Sequence, residues 1–361
     1  MEGLLVLDSL TIQSHKGPYS VRFDDTLLEN PDQLIDQDTH FIVDSNVARL
    51  YPKFLKKIVS NPRTILIDAK EKNKSIEQVI PLIRRLVDNK IRRNHSLMAI
   101  GGGIIQDITC FIASNLQRGL RWTLVPTTLL AQADSCIGSK SSINLGDTKN
   151  ILGTFNPPKH IILCTDFLET LEDKDIHSGI GEIIKVHAID GEASFNKLAA
   201  DYDRLLSERE VLLTYVIEAL RIKQKYIEID EFDRDARNIF NYGHSFGHAI
   251  ETATDFSIPH GVAVTIGMDM ANHIAVQRNL ISEEHYKRMQ PIIYKNYAAF
   301  KEVEIEFELF FEALLKDKKN TSTQQVLIFP VGESANIERV TILPDEKFRT
   351  QCEVYFSKVK K

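Results

Sequence analysis

Three histidines lie close together in Asn241-Tyr-Gly-His244-Ser-Phe-Gly-His248 and, twelve residues on, Pro259-His260-Gly261, within a segment otherwise rich in apolar residues. Imidazoles concentrated in this way predict a divalent-metal site. On a helix His244 and His248 stand only about 40° apart around the axis, so both rings project from one face. A third imidazole can arrive from the start of the next element. The competing interpretation makes His248 a satisfied core histidine and His260 a helix-start residue. A carboxylate ligand tips the balance, because three protein ligands with one open position make a catalytic zinc site. Glu182 is the best candidate: it sits in Gly179-Ile-Gly-Glu182-Ile-Ile-Lys185, among glycines and apolar residues where a solvated carboxylate is out of place.

A second chemistry is suggested by Ser96-Leu-Met-Ala-Ile-Gly101-Gly102-Gly103-Ile-Ile-Gln-Asp107, an apolar strand running through three glycines into a helix. Glycines let backbone amides approach a pyrophosphate, and a helix amino terminus adds partial positive charge. The full Gly-x-Gly-x-x-Gly pattern is missing, and a simple tight turn reads the same way. Asp44, ending an earlier strand, suits a carboxylate that accepts ribose hydroxyls; equally, it suits the cap of a helix beginning at Ser45 or Asn46. Several bases then fall in segments too apolar or glycine-rich for ordinary surface: Arg118, Lys140, Lys149, Lys185, Lys223 and Arg237. Together they fit a small polyanion, since arginine forks grip carboxylates or phosphates and lysines act as point charges. A metal, a dinucleotide turn and an anion pocket point to redox chemistry on a hydroxylated, phosphorylated acid.

The elements that must position these groups follow a clear rhythm. Phe41–Asp44, Thr64–Asp68, Ser96–Ile100 and Trp122–Val125 read as short strands, with an amphipathic helix from about Ile76 to Asn89, which predicts a parallel sheet covered by helices. After the apolar run His160–Cys164 the pattern becomes long and helical, Val326–Phe329 excepted. The boundary is expected near Thr165 to Asp175, giving an α/β domain over 1–170 and a mainly helical one over 171–361. Lys70 to Lys74 reads as a short charged loop. The 361 residues, 43% of them hydrophobic, suffice for two globular cores. With 44 basic and 50 acidic side chains and a formal charge of -6, bulk charge suggests neither nucleic acid nor an anionic membrane as partner. Cys110, Cys136, Cys164 and Cys352 show no paired spacing, as expected of reduced thiols in a cytoplasmic protein. The amino terminus lacks the bases of a signal peptide, and no apolar run approaches membrane-spanning length.

These residues are matched by a family. The chain resembles 3-dehydroquinate synthase and the wider sugar-phosphate cyclases from Asp44-Ser-Asn46 through Glu71, Lys74, Gly101–Gly103, Pro126-Thr-Thr-Leu-Leu-Ala-Gln-Ala-Asp134, Lys149-Asn150, Gly181–Lys185, Asn241–His248 and His260-Gly261 to Asp317-Lys-Lys319. The resemblance implies a Rossmann-like parallel-sheet domain followed by a mainly α-helical one. It implies Glu182, His244 and His260 as ligands of a divalent metal, zinc or cobalt, which makes His248 a substrate contact. NAD would be held by Asp44, Asn46, Glu71, Lys74, Gly101, Gly102, Gly103, Asp107, Thr127 and Thr128, with Asp134, Lys140 and Lys149 bordering it. Asp134, Lys140, Lys149, Asn150, Lys185, Lys223, Arg237, Asn241, His248 and one of Lys318 or Lys319 would line the substrate pocket, and Arg118 would enter from the partner of a homodimer. The implied substrate is a phosphorylated keto acid, 3-deoxy-D-arabino-heptulosonate 7-phosphate, cyclised with loss of phosphate and no net redox. Relatives that cyclise neutral sugar phosphates lack the carboxylate-gripping arginine and alter the asparagine after it. This chain keeps Arg237, Asn241 and Lys223, so a substrate carboxylate is expected; a buried unpaired guanidinium would otherwise be costly.

Four departures stand against that pattern. The usual Gly-Gly-Lys-Thr-Gly-Val-Asn reads Gly138-Ser139-Lys140-Ser141-Ser142-Ile143-Asn144, the usual His-Gly-Glu reads His260-Gly261-Val262, Asp233 replaces a glutamate before the arginine, and Gln106 follows the glycine turn where glycine is common. Val262 implies the loss of a carboxylate behind the metal ligands, where such groups tune orientation. Three alternatives therefore stay open: a paralogue acting on an amino analogue or on sedoheptulose 7-phosphate, an iron- or glycerol-type dehydrogenase, and a non-catalytic relative.

Overall fold

In a computed structural model of the chain, residues 9–146, 148–316 and 324–359 are described, so Lys318 and Lys319 lie outside the described residues. The chain divides into two compact units, Met1–Leu171 and Glu172–Lys361.

The first unit is built on strands β1 (Ser9–Ile12), β2 (Tyr19–Phe23), β3 (Thr39–Asp44), β4 (Thr64–Ile67), β5 (Ser96–Gly101), β6 (Arg121–Pro126), β7 (Lys140–Leu145), β8 (Thr148–Phe155) and β9 (His160–Leu163), with helices α1 (Ser45–Leu50), α2 (Pro52–Val59), α3 (Ile76–Asp88) and α4 (Gly103–Asn115). Seven strands form one sheet in the order β1-β2-β9-β6-β5-β3-β4. All its pairings are parallel except β1 with β2. The central strands are buried on both faces, hence the unbroken apolar run Leu97-Met-Ala-Ile100 on β5. Phe41, Val43, Met98, Ile100, Val125 and Ile162 close one core with Phe54, Leu55 and Ile58 of α2. Strand order reverses around β3: the chain leaves it for β4 on one side and returns to β5 on the other. That is the topological switch point where α/β sheets bind nucleotides at the carboxyl ends of their strands. Sequence reading missed β1, β2 and the β7–β8 hairpin, which have polar or exposed faces.

The second unit holds helices α5 (Asp173–Asp190), α6 (Glu192–Ser207), α7 (Arg209–Ile229), α8 (His244–Ala253), α9 (His260–Gln277), α10 (Glu283–Tyr297), α11 (Phe307–Leu315) and α12 (Glu346–Val354). It also contains an antiparallel hairpin of β10 (Gln325–Val331) and β11 (Asn336–Ile342), of which only the first was expected. Helix α9 is buried on nearly every side and packs against α5, α8, α10 and β10. Glycines let the backbones touch: a Cβ on Gly267 would fall 2.1 Å from the Gly243 carbonyl oxygen, and one on Gly181 would fall 2.2 Å from that of Gly261. Among the described residues no helix is long and apolar enough to cross a membrane. All four cysteines are buried thiols outside any disulfide.

Candidate active site

At the switch point of the first unit, Val43 pairs with Ile100 and Gly101 with Pro126. Asp44, the Gly101–Gly103 turn and Thr127-Thr128 therefore share one edge of the sheet. Asp44 caps α1, accepting from the Asn46 amide at 2.9 Å, and Asn46 in turn accepts from Arg49 at 2.7 Å. The cap interpretation of Asp44 thus holds, and the residue shares its sheet edge with the glycine turn as well. Burial pushes its carboxyl pKa up against that amide bond. Gly102 precedes α4, and a Cβ there would stand 2.9 Å from the Thr128 methyl group. The turn is thus a close-packed backbone cradle opening on a helix amino terminus, which fits a pyrophosphate.

One turn into α4, Asp107 organises a polar cluster. Lys74, only 7% exposed, lies 3.2 Å from Asp107, 3.5 Å from Glu71 and 3.0 Å from the Asn150 amide oxygen. Solvation does not describe this lysine: the Lys70–Lys74 segment contains a 3-10 turn over Glu71–Asn73 that delivers it inward. Asn144 donates to Glu71 at 2.8 Å and accepts from the Asn150 amide at 2.8 Å. Ser142 gives Asp107 both its amide and its hydroxyl, each at 3.1 Å. A glycine at 142 could supply only the first. Burial pushes the Asp107 carboxyl up, with Lys74 and Ser142 pulling the other way. Lys140 and Lys149 are exposed on the β7–β8 hairpin, and Asp134 lies in the segment Ala131–Ser135. Gln106 ties that segment down, donating to the Ser135 carbonyl at 2.6 Å and accepting from its hydroxyl at 3.0 Å. Arg118 stays away from this cluster: it follows the far end of α4, about 18 Å along the axis from Gly103. It is exposed at φ +66, between Gln117 at +55 and Gly119 at +115.

In the second unit the expected metal ligands converge. Gly243, at φ +77, turns the chain sharply out of the Ala236–Asn241 turn so that α8 begins at His244. His244, His248 and His260 each offer a ring nitrogen, all within 4.8 Å of one another. Glu182, 1% exposed on α5, places Oε1 3.3 Å from His260 Nε2 and 3.7 Å from His244 Nε2. Its Oε2 is 2.5 Å from Lys185 Nζ, and Lys185 in turn faces the Phe240 ring at 5.7 Å. Burial alone would raise the Glu182 carboxyl; Lys185 and then His260 outweigh it and hold the pKa well below the usual range. Among the described residues neither Glu182 oxygen accepts a hydrogen bond of good geometry. A buried anion facing two imidazole nitrogens, with a third imidazole beside them, fits zinc or cobalt.

Lys223 and Arg237 are both buried, at 5% exposure each, and Ile222 and Phe240 beside them belong to one apolar cluster. Arg237 Nη1 donates to the Glu231 carbonyl at 2.9 Å, and Asn241 donates to the Asn238 carbonyl at 3.0 Å. Asp230 folds this loop by accepting from the amides of Arg234, Asp235 and Arg237 at 2.8–3.1 Å. Asp233 stands in the left-handed region at φ +54.

Sequence reasoning missed Glu251. Val262 brings no carboxylate, and the one behind His260 comes from Glu251, whose Oε2 lies 3.1 Å from His260 Nδ1. The signal was present: Glu251 is seven residues after His244, two helical turns, and so shares its face.

The family model described as 3-dehydroquinate synthase N-terminal matches residues 64–178, and that described as 3-dehydroquinate synthase C-terminal matches 179–320. The 3-dehydroquinate synthase of Helicobacter pylori strain P12 is 32% identical over 321 residues, covering 88% of this chain and 92% of the relative. That of Thermoanaerobacter sp. is 30% identical over 351 residues, covering 94% and 98%. The fold is shared with a 2-deoxy-scyllo-inosose synthase solved with carbaglucose-6-phosphate, NAD+ and Co2+, at TM-score 0.80, 22% identity and coverage of 97% and 99%. It is shared equally with a 2-epi-5-epi-valiolone synthase from Streptomyces hygroscopicus solved with NAD+ and Zn2+, at TM-score 0.81, 24% identity and coverage of 94% and 97%. A glycerol dehydrogenase from Schizosaccharomyces pombe is more distant, at TM-score 0.58, 14% identity and coverage of 96% and 89%.

Proposed function

The chain belongs to the 3-dehydroquinate synthase family of enzymes, and we propose that it converts 3-deoxy-D-arabino-heptulosonate 7-phosphate to 3-dehydroquinate and phosphate, as a lyase with no net redox change. The observation that carries this reading is the burial of Arg237 four residues before Asn241 and a few residues before the metal-ligand helix. A planar, permanently charged fork in an apolar setting is suited to a bidentate grip on a substrate carboxylate.

Glu182, His244 and His260 would hold the divalent metal. Asp44, Asn46, Glu71, Lys74, Gly101–Gly103, Asp107, Thr127 and Thr128 would hold NAD. When bound, NAD supplies a reversible oxidation of a substrate hydroxyl and the metal acidifies that hydroxyl. The protein's own part is positioning. The amides around Gly102 offset pyrophosphate charge, and Asp107 holds Lys74 in place beside Glu71. Lys140, Lys149, Lys185 and Lys223 neutralise a substrate that carries a phosphate and a carboxylate, with Asp134, Asn150 and His248 contacting its hydroxyls. Elimination breaks the C–O bond to phosphate and removes one C–H proton, which an oxygen of the departing phosphate can accept. An intramolecular aldol step then forms the ring's C–C bond. We assign the working form to a cytoplasmic homodimer, with Arg118 contributed across the interface.

The experiment is phosphate release with catalytic NAD. The heptulosonate phosphate should turn over many times without lasting NADH absorbance, and sedoheptulose 7-phosphate should be a poor substrate. Stoichiometric NADH would return the dehydrogenase alternative, and equal use of the neutral sugar would overturn the dehydroquinate reading.

A further inference from the structure

The two imidazoles that face Glu182 are held from behind by different groups. His244 and His260 both present Nε2 to the Glu182 carboxylate, at 3.7 and 3.3 Å. Behind His244, Nδ1 meets the neutral backbone carbonyl of Tyr242 at 3.3 Å. Behind His260, Nδ1 meets the Glu251 carboxylate at 3.1 Å. Glu251 is 9% exposed and comes from α8, while His260 opens α9, so the contact also ties the two ligand helices together. Position 262 of α9 is the fully buried Val262, which has no group that could replace it.

We propose that Glu251 is the positioning residue of the metal centre: it accepts a hydrogen bond from His260 Nδ1–H, fixes Nε2 as the metal-facing nitrogen and holds that ring in place. The proposal rests on the reading of Glu182, His244 and His260 as the metal site. Its physics is that of an outer carboxylate, which sets both the tautomer and the orientation of a ligating imidazole and raises its donor strength. A neutral backbone carbonyl sets tautomer and orientation too, but without the charge that strengthens donation. Ligand set and metal affinity are thereby separable: removing Glu251 leaves all three ligands in the chain yet loosens one of them.

The test uses the full chain, stripped of metal, with Zn2+ and Co2+ as probes. Zinc affinity is read by competition with a chromogenic chelator, and the cobalt form by its visible absorption. Glu251→Ala should weaken zinc binding 10- to 100-fold and alter the cobalt spectrum. Glu251→Gln keeps the shape and one acceptor oxygen but loses the charge, so a smaller loss is expected, together with a fold that matches wild type by circular dichroism. Should Glu251→Ala fail to fold, the Gln variant carries the test. Zinc affinity within twofold of wild type in a folded Glu251→Ala or Glu251→Gln protein would overturn the proposal. His260→Ala separates the two claims: if it too retains stoichiometric zinc, the metal-site reading itself fails, whereas loss of zinc in His260→Ala with retention in the Glu251 variants sinks only the role of Glu251.

Discussion

A Cβ atom on Gly261 would stand 1.8 Å from the carbonyl oxygen of Ser178, so α5 and α9 meet backbone to backbone at this point. Ser178 also accepts the Gly261 amide on its hydroxyl at 2.9 Å. His260 precedes one side of that contact and Glu182 lies one turn beyond the other; the glycine is therefore what allows carboxylate and imidazole to come within 3.3 Å. Gly261→Ala should force the helices apart, costing roughly 1–3 kcal/mol of stability or more. Zinc affinity should fall with it. Thermal unfolding and zinc competition on the purified variant measure both, and an alanine variant unchanged in both would show that the contact positions nothing.

Buried Asp269 on α9 makes a pH prediction independent of the metal. Its Oδ2 accepts from Tyr297 at 2.6 Å and Tyr355 at 2.9 Å. Burial raises its pKa to about 6 from the ordinary 3.8, with the tyrosine hydroxyls pulling it down. The folded state thus keeps a proton that the unfolded chain has already lost. Stability from this group is greatest below pH 4, declines as pH rises to about 6, and is flat above that; the shift corresponds to about 3 kcal/mol. Asp269→Asn has no such proton. Its urea midpoint should decline less than that of wild type between pH 4 and 6.5, and parallel profiles would count against the raised pKa.

Much of this was legible in the residues. Parallel strands buried on both faces announce themselves as apolar runs, and a metal site concentrates imidazoles that cost energy elsewhere in a core. Hidden features were those whose meaning lies in a partner on another element. Glu251 resembles any helical glutamate until His260 is placed against it, and Lys74 resembles a solvated lysine until Asp107 and Asn150 surround it. Strands β7 and β8 carry mixed polar faces and give no alternation to read.

Ser139 shows what one departure costs. It occupies φ +67, the left-handed region that disfavours side chains, where the family pattern has glycine. Ser139→Gly should gain roughly 1 kcal/mol, because glycine adopts this conformation without steric penalty. A rise in the unfolding midpoint of the first unit checks it; a fall would mean that the serine hydroxyl outweighs the strain.

Arg237→Leu should cut kcat/KM on the heptulosonate phosphate by roughly two to four orders of magnitude, as expected on losing a charge-assisted bidentate contact in a dry site. Stoichiometric zinc and NAD binding should persist, since Arg237 belongs to neither proposed set of ligands. If the variant loses zinc along with activity, the arginine is holding the Asn241–His244 turn rather than the substrate.

Arg118 decides whether one chain completes the site. It sits exposed past the far end of the helix that starts at the glycine turn, on a backbone strained at positive φ through Gln117 and Arg118. Strain of this kind persists where a function or an interface requires it. If Arg118 serves the partner's substrate, Arg118→Ala and Arg237→Leu should each be inactive alone yet complement when mixed. A mixed dimer then contains one intact site, formed by the first protomer's Arg237 and the second's Arg118, and one site lacking both. With random pairing half of the dimers are mixed, so about a quarter of wild-type phosphate release should return on co-expression. Recovery must also depend on dimer formation and vanish when each variant is assayed separately. No recovery from dimers shown by mass to be mixed would place Arg118 in its own chain's site, or outside the chemistry altogether.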